Sequence, residues 1–263
     1  MTTTALVLRY AVVTGFQDYS VTFTWKTWLA GWYVRVLFQV VFFALIGRLL
    51  GSEERLQYLL VGNAVMLAAI GSLFAVAGTT WERRTGTLPL LVASPSSPIV
   101  VLAGRSAWAL TDGFVSSLAA FFVAAPVFDI DLPWPRTLLV VPLVALVSAS
   151  CYALGIFLGG LVLRAMSTRN VVANLTWGTI MAIGGVNVPI SYYPEAVEWL
   201  AQALPLVHGL EAIRELLRGD SLVGLLPDVA LELLVAAGWL CLALLTFDRF
   251  AQKGRRDGSI EFG

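Results

Sequence analysis

The stretch 80-TWERRTGTLPLLVASP-95 is a charged break between two long apolar segments of this 263-residue chain. It combines a Glu-Arg-Arg cluster, a Gly-Thr-Leu turn and a Ser-Pro end. If the flanking apolar segments cross a membrane, the break lies at the membrane surface. A charged segment with its own turn is more than a connector there. The pattern predicts a docking element for a soluble partner.

The composition of the chain is that of a membrane protein with several spans. Hydrophobic residues make up 58% of the chain and charged residues 13%, whereas soluble domains carry about 25% charged residues. At roughly 20 residues per span, the length allows about six spans and no separate soluble domain. The sequence has no nucleotide-binding loop ending in Gly-Lys-Ser/Thr, so the chain is not expected to hydrolyse nucleotide by that route, to be an enzyme or to carry a cofactor.

The expected fold is an all-α integral membrane protein with one transmembrane domain over residues 1–263. Residues 1–27 mix Arg9, Gln17 and Asp18 with apolar residues, which predicts an amphipathic helix in the membrane interface. The apolar segments that follow predict six spans, at 28–50, 58–79, 106–128, 138–163, 171–190 and 226–248.

The distribution of basic residues predicts the orientation of the spans. If the N-terminus is cytoplasmic, eleven basic residues lie on the inner side and five on the outer side, as the positive-inside rule requires. Both termini are then cytoplasmic, and the basic tail 249–263 is expected to bind anionic lipid. The inner set is Arg9, Lys26, Arg83, Arg84, Arg105, Arg164, Arg169, Arg249, Lys253, Arg255 and Arg256.

The inner loop, residues 80–105, has two interpretations. Residues 80–93 can extend the second span as a helix, which Pro95 and Pro98 then interrupt. Such a helix is a rigid lever that transmits force from a cytoplasmic motor; the alternative is an ordinary basic loop that only fixes topology. The lever is favoured by an apolar face that a topological loop does not need, formed by Leu88, Leu90, Leu91 and Val92.

The outer segment, residues 191–219, contains two short helical patterns separated by Leu204-Pro205. Each is too short to cross a bilayer. Their apolar faces and acidic residues predict a re-entrant hairpin in the outer leaflet, and the alternative is a surface loop with two interfacial helices. His208 is the only histidine, so a hydrogen-bonding or helix-terminus role is expected rather than a metal site.

Polar residues within the spans give two further expectations. Arg35 and Asp112 lie in or near spans, where ions are costly, and a packing pair with arginine is expected for both. Gly155 and Gly159 form a Gly-xxx-Gly pair that predicts close helix packing. One face of the fifth span lines a substrate path or makes interhelical hydrogen bonds; it carries Asn170, Asn174, Trp177 and Met181.

These features in this order resemble the membrane subunit of an ATP-binding-cassette exporter of the type-2 permease class. The resemblance covers nearly the whole chain, with an N-terminal interfacial helix, six spans and inward termini. The inner-loop motif ERRTGTL at 82–88, followed by Ser94-Pro95, is similar to the coupling-helix pattern of that family. The segment 189–217, with Pro194 and Leu204-Pro205-Leu206, is similar to the outer re-entrant pair before the last span.

The resemblance implies an assembly of two permease copies, identical or related, and two cytoplasmic ATPase subunits that carry ATP and Mg. Membrane lipid is the other partner, and no nucleic acid is expected. The implied ATPase-docking residues are Glu82, Arg83, Arg84, Thr85, Gly86, Thr87, Leu88, Arg164 and Arg169. The path lies between the permeases, from the first, second and fifth spans, and the outer gate is implied at Pro194, Glu195, Leu204, Pro205 and His208.

The cargo is left open by the sequence. The mostly apolar path favours an amphipathic or hydrophobic molecule such as a drug, an antibiotic or a lipid, and a lipid-linked glycan is the alternative. An ion-driven secondary transporter, which uses intramembrane carboxylates, and a sensor subunit that docks on an ATPase are competing classes. The chain has fifteen Arg and two Lys, which suggests a GC-rich bacterial genome and hence a bacterial plasma membrane.

Overall fold

The structure is a computed structural model that describes residues 3–94, 96–163 and 165–257. These residues form helices and connecting turns, so the all-helical class expected from the sequence is confirmed for them. The helices are α1 (Thr3–Thr22), α2 (Trp25–Leu49), α3 (Glu53–Arg84), α4 (Leu88–Ala93), α5 (Pro98–Val127), α6 (Arg136–Val162), α7 (Arg169–Ile183), α8 (Glu195–Gln202), α9 (Val207–Arg218) and α10 (Leu226–Asp257).

Five helices in the described part of the chain are long and apolar enough to cross a membrane: α2, α3, α5, α6 and α10. They coincide, to within a few residues at most ends, with the first four predicted spans and the last one. The predicted tail 249–263 is helical as far as Asp257, and residues 258–263 lie outside the described residues.

The predicted fifth span at 171–190 is only partly helical. Helix α7 has 15 residues and ends at Ile183, which gives a length of roughly 22 Å against a hydrocarbon core of about 30 Å. Gly185 has a φ of +73°, a left-handed conformation that a continuing α-helix cannot accommodate. Residues 184–189 therefore form a loop. Five helices of the described residues are long and apolar enough to cross a membrane, so the predicted count of six spans is not confirmed.

Helix α3 lies at the centre of the molecule. In its most apolar stretch 89% of the residues are buried, against 22% for α2 and 11% for α10. Small residues make this central position possible, because Gly, Ala and Ser allow neighbouring helix backbones to approach closely. Helices α2 and α10 lie at the periphery, and their long apolar faces are open to lipid or to another protein.

Glycine contacts bring α5 and α6 against α3. A Cβ on Gly113 of α5 would lie 2.5 Å from the carbonyl oxygen of Ala68, and a Cβ on Gly71 would overlap the Gly113 backbone. On α6, a Cβ on Gly155 would lie 3.1 Å from that of Ala75, and one on Gly159 would overlap Thr79. The close packing expected from the Gly155–Gly159 pair is confirmed.

Helix α1 packs along the first half of α5. Its buried residues are Ala11 and Gly15, which face Gly104 and Arg105. The helical part of the predicted 1–27 segment ends at Thr22, and α2 begins at Trp25 because the Thr24 hydroxyl accepts a hydrogen bond from the Thr27 N–H. The N-terminal helix is thus a packed element of the bundle.

The Gly113 contact predicts a stability difference between two identical substitutions. Gly113→Ala should lower the free energy of unfolding by roughly 1–3 kcal/mol, because the new methyl group meets backbone atoms that cannot move independently. The measurement is the midpoint of thermal unfolding of the purified chain in mild detergent.

Gly238→Ala on α10 is the matched control. A Cβ at Gly238 meets nothing within 4 Å, and alanine is the better helix former by about 1 kcal/mol, so this variant should be neutral or more stable. Equal midpoints for the two variants would contradict the close-contact explanation.

Candidate functional site

The inner loop turns sharply after α3. Helix α3 ends at Arg84, and Gly86 has a φ of +74°, which favours glycine and breaks the helix. A new helix, α4, then begins at Leu88 with Pro89 in its first turn. The expectation that residues 80–93 form one continuous helix is therefore wrong. The segment is a helix end, a turn and a second short helix.

Glu82 holds the turn together from inside. Its carboxylate lies 2.6 Å from Nε of Arg105 in α5, and the Thr87 hydroxyl donates a hydrogen bond to its other oxygen. The Thr87 N–H also donates to the Glu82 carbonyl at 2.9 Å. Arg105 in turn pairs with Asp18 of α1 at 2.5 Å. These contacts join α1, α3, the turn and α5 at one place.

Helix α4 turns one apolar face into the bundle and the other outward. Leu88 and Val92 are buried in a small core that includes residues of α5, α6 and α10. Leu90 is 70% exposed, and the neighbouring Trp81 of α3 is 46% exposed. The apolar face predicted from the sequence is thus divided, and its exposed part is available to a partner.

The predicted docking residues fall into two groups. The side chains of Glu82 and Leu88 are buried in this chain, so in this conformation they position the turn. Those that are exposed or half-buried are Arg83, Arg84, Thr85, Gly86, Thr87 and Arg169. Arg164 and Pro95 lie outside the described residues. The docking role of the whole set stays a prediction.

The predicted path residues lie on an open side of α7. Ile180 is the one buried residue of this helix, Met181 is half-buried, and the other three, Asn170, Asn174 and Trp177, are exposed. Asn170 accepts hydrogen bonds from Arg169. Neither amide bonds to another helix in the described residues, so this face is free to meet lipid, water or a second chain.

In the outer segment, α9 is buried whereas α8 is exposed. Leu206 has a φ of +85° and precedes α9, whose N-terminus meets the buried carboxylate of Glu232 from α10. The two carboxylate oxygens accept hydrogen bonds from the N–H groups of Leu206 and Gly209, each at 3.0 Å. A carboxylate at a helix N-terminus satisfies unpaired N–H groups and complements the helix dipole.

Arg214 holds the loop that follows α7. Its guanidinium is 5% exposed and donates to the carbonyls of Gly185 at 2.9 Å and Val186 at 3.2 Å. It also lies 3.5 Å from the ring centroid of Tyr58, whose hydroxyl donates to Gly185. Burial lowers the pKa of Arg214. These contacts fix the 184–189 loop to α3 and α9.

The predicted gate residues are spread over both outer helices. Pro194 and Glu195 are exposed at the start of α8, Leu204 is half-buried, and Pro205 and His208 are buried. The expected hydrogen-bonding role of His208 is confirmed, because its Nε2 lies 3.1 Å from the Gln202 carbonyl. Its Nδ1 lies 3.8 Å from Asp228. The gating role itself stays a prediction.

Asp112 is not paired with an arginine, contrary to expectation. Its Oδ1 accepts hydrogen bonds from the Tyr19 hydroxyl at 2.9 Å and from Nε1 of Trp28 at 2.5 Å. Arg35 instead lies over the ring of Trp32 at 4.8 Å. Burial, and then the Asp112 charge, raises the pKa of Tyr19, so the phenol stays protonated as the donor.

The fold and these sites define a class. The chain is a helical membrane protein with several long apolar helices, a charged loop of two helices at one end and two short helices before its last long one. Comparison with protein families then identifies it: the model of the ABC-2 family transporter protein matches residues 48–245, and the chain belongs to this family. A search of curated proteins gave no match.

Membership carries three consequences. A member of this family is the permease subunit of an ABC transporter, which is a subunit without the ATPase domain. Its partner is a cytoplasmic ABC ATPase. As a protein with several membrane spans, it belongs in a membrane such as the plasma membrane. The resemblance stated from the inner and outer motifs is thereby confirmed.

Sequence reasoning missed two residues that organise the outer segment, Glu232 and Arg214. A signal existed for each: Glu232 stands in the apolar run of the last span, and Arg214 follows Leu210 and Ile213 on the apolar face of its helix. A charge on an apolar face predicts a buried partner.

Arg214 gives a stability prediction. Arg214→Met should lower the free energy of unfolding by roughly 2–4 kcal/mol, because buried carbonyls of the 184–189 loop lose their donors. The midpoint of thermal unfolding in detergent measures this. Arg218→Met, on the same helix but 51% exposed, should stay within about 0.5 kcal/mol of the parent. Equal losses at both positions would argue against Arg214 as the residue that holds the loop.

Proposed function

We propose that this chain is the membrane-spanning permease subunit of an ATP-driven exporter that moves an amphipathic or hydrophobic substrate outward by alternating access. The single observation that carries the proposal is the inner loop. It presents an exposed apolar and basic surface, and its buried Glu82 connects that surface to three helices. Family membership supports an ATPase as the partner that meets it.

The ATPase-docking surface is formed by the exposed residues of the inner loop. Trp81 and Leu90 supply apolar contacts, and Arg84 supplies charge. Exposed apolar side chains beside charged ones at a helix end are typical of a protein interface. Glu82 and Leu88 lie beneath this surface, and their buried contacts set the angle between α3 and α4.

Force from the ATPase passes along α3. This helix has 32 residues, with an irregular turn at Phe74, and corresponds to about 48 Å at 1.5 Å per residue. Its inner end carries the docking turn, and near its outer end Tyr58 contacts Arg214 and the 184–189 loop. A displacement at the inner end therefore reaches the outer segment, where α8 and α9 act as the gate between two packings.

Two copies of the chain, each with an ATPase subunit, enclose the path. The exposed amides of Asn170 and Asn174 support this arrangement, because polar side chains on a helix within the membrane face protein or water more often than lipid. Helix α2 is largely unburied in one chain, and it contributes to the same interface. We take α7 and the 184–189 loop as a sixth, partly helical crossing, so that both termini are cytoplasmic, and the membrane is a bacterial plasma membrane.

A lipid-linked glycan is the second candidate cargo. Tyr192 and Trp199 of the outer segment are 80% and 71% exposed, and aromatic rings at the mouth of a path suit a sugar chain. The same rings also suit the membrane interface, so the amphipathic cargo is preferred.

Purification from the native host tests the partner. A tagged chain extracted in gentle detergent should bring a stoichiometric ABC ATPase subunit, identified by mass spectrometry. If the chain purifies without an ATPase subunit, and the native membranes show no ATPase associated with it, the proposal would be contradicted.

Leu90 gives a test of the docking surface. Leu90→Asp should reduce the amount of co-purified ATPase by about tenfold, since one buried charge at an interface costs more than the ~1.4 kcal/mol that tenfold represents. Leu222→Asp is the control, because Leu222 is also exposed but lies before α10 on the predicted outer side. Equal ATPase recovery with Leu90→Asp and with the parent would remove Leu90 from the interface.

Glu82 gives a test of force transmission. Glu82→Gln should leave the ATPase bound but lower dye export per ATP hydrolysed by about tenfold, because losing a buried ion pair costs more than the ~1.4 kcal/mol that corresponds to tenfold. The measurement combines ATPase activity with export of a panel of amphipathic dyes. Glu54→Gln, an exposed acid at the other end of α3, should behave like the parent. Normal export per ATP by Glu82→Gln would exclude this role.

A further inference from the structure

An aromatic cavity of about 280 Å³ lies at the inner end of the bundle. It is enclosed by α1, the start of α2, the inner half of α3, α5 and the first residue of α7. Its lining includes Tyr19, Trp28, Trp32, Phe74, Trp81 and Trp108. The volume is near the lower end of the roughly 300–1,000 Å³ range of small-molecule sites. A cavity of this size can hold one end of a larger molecule, whose other end then lies outside the cavity.

The aromatic rings form connected walls. Tyr19 stacks on Trp108 with ring centroids 4.6 Å apart, and Phe74 meets Trp32 at 5.0 Å. Trp28 and Trp32 come from a π-helical turn, Trp28–Tyr33, and a local change of helix type of this kind is frequent at functional sites. The faces of such rings attract cations.

Asp112 is the charged group of this cavity. It is 8% exposed, and among the described side chains no arginine, lysine or histidine lies within ion-pair distance of it. The hydrogen bonds from Tyr19 and Trp28 stabilise a carboxylate but leave its charge unbalanced. A buried charge without a counter-ion is costly, and a cation in the cavity would supply what the chain does not.

The arginines of the cavity do not replace that cation. Arg105 is already paired with Glu82 and Asp18. Arg84 lies over the ring of Trp81 at 5.8 Å, and Arg169 bonds to Asn170. Arg84, at the end of α3, and Arg169, at the start of α7, also line the cavity, but neither lies within ion-pair distance of Asp112. Asp112 is therefore a carboxylate among aromatic faces with no ion-pair partner in the described part of the chain.

We infer that this cavity binds a lipophilic cation, with its positive group against Asp112 and the surrounding rings and its apolar part toward the opening. The site lies within one chain, apart from the exposed face of α7 that the proposed path uses. As a description of cargo, the inference rests on the proposed function. As a binding site, it needs neither ATPase nor a second copy.

Two probes of nearly the same shape and opposite charge test the inference. Tetraphenylphosphonium and tetraphenylborate are titrated by calorimetry into the purified chain in dodecylmaltoside, with micelles alone as the blank. The phosphonium should bind at least about tenfold more tightly than the borate. If the borate binds as tightly as the phosphonium or more tightly, the inference is overturned, because the shape of the probe or the arginines of the lining would then determine the affinity.

A variant pair locates the charge. Asp112→Asn keeps an oxygen that can accept the Tyr19 and Trp28 hydrogen bonds but removes the charge, so phosphonium binding should weaken about tenfold. Asp131→Asn, at an exposed aspartate outside the cavity, should bind like the parent. Unchanged binding by a folded Asp112→Asn would overturn the assignment, and the thermal midpoint checks folding. If Asp112→Asn does not fold, the comparison of the two probes on the parent chain still decides.

The binding test separates this inference from the proposed function. A chain that co-purifies with an ATPase but does not prefer the phosphonium leaves the transporter proposal intact and removes the cation site. A chain that binds the phosphonium through Asp112 but has no ATPase partner keeps the site and removes the exporter.

Discussion

The burial of α3 on all sides is the constraint on which the rest of the structure depends. A helix can occupy the centre only if its neighbours approach closely, and the Gly71–Gly113 and Gly159–Thr79 contacts allow that approach. One end of α3 carries the inner turn at 85–87, and the other contacts the loop that follows α7. The inner turn and the outer segment are therefore connected through one central helix, which has an irregular turn at Phe74.

The buried charges show how an apolar protein accommodates polar groups. Glu82 is neutralised by Arg105, Glu232 meets the N-terminus of α9, and Arg214 meets backbone carbonyls. In each case the charged group also fixes the position of a turn or loop, so the polar contacts specify the connections between helices. Asp112 differs, because it has hydrogen bonds but forms no ion pair with a described residue.

The inner loop and the aromatic cavity share residues. Trp81, Arg84 and Arg105 line the cavity, and they also lie at the base or the surface of the turn at 85–87, where we propose that the ATPase docks. A partner that moves the turn therefore moves part of the cavity wall, and a molecule in the cavity contacts the helix end on which the partner acts. The proximity gives a physical route by which the occupancy of the cavity and the binding of an ATPase affect each other.

The sequence by itself determined the helical membrane class, five of the long helices, the close packing at Gly155 and Gly159, and the family, since these follow from composition, apolar length and local motifs. Only the tertiary structure decided that α7 stops at Ile183, that Glu82 and Leu88 turn inward, and that Asp112 meets Tyr19 and Trp28 instead of an arginine. It also decided that Glu232 and Arg214 organise the outer segment. Hydropathy and helical period describe one segment at a time, whereas the partner of a buried charge comes from a distant part of the chain and is selected by packing.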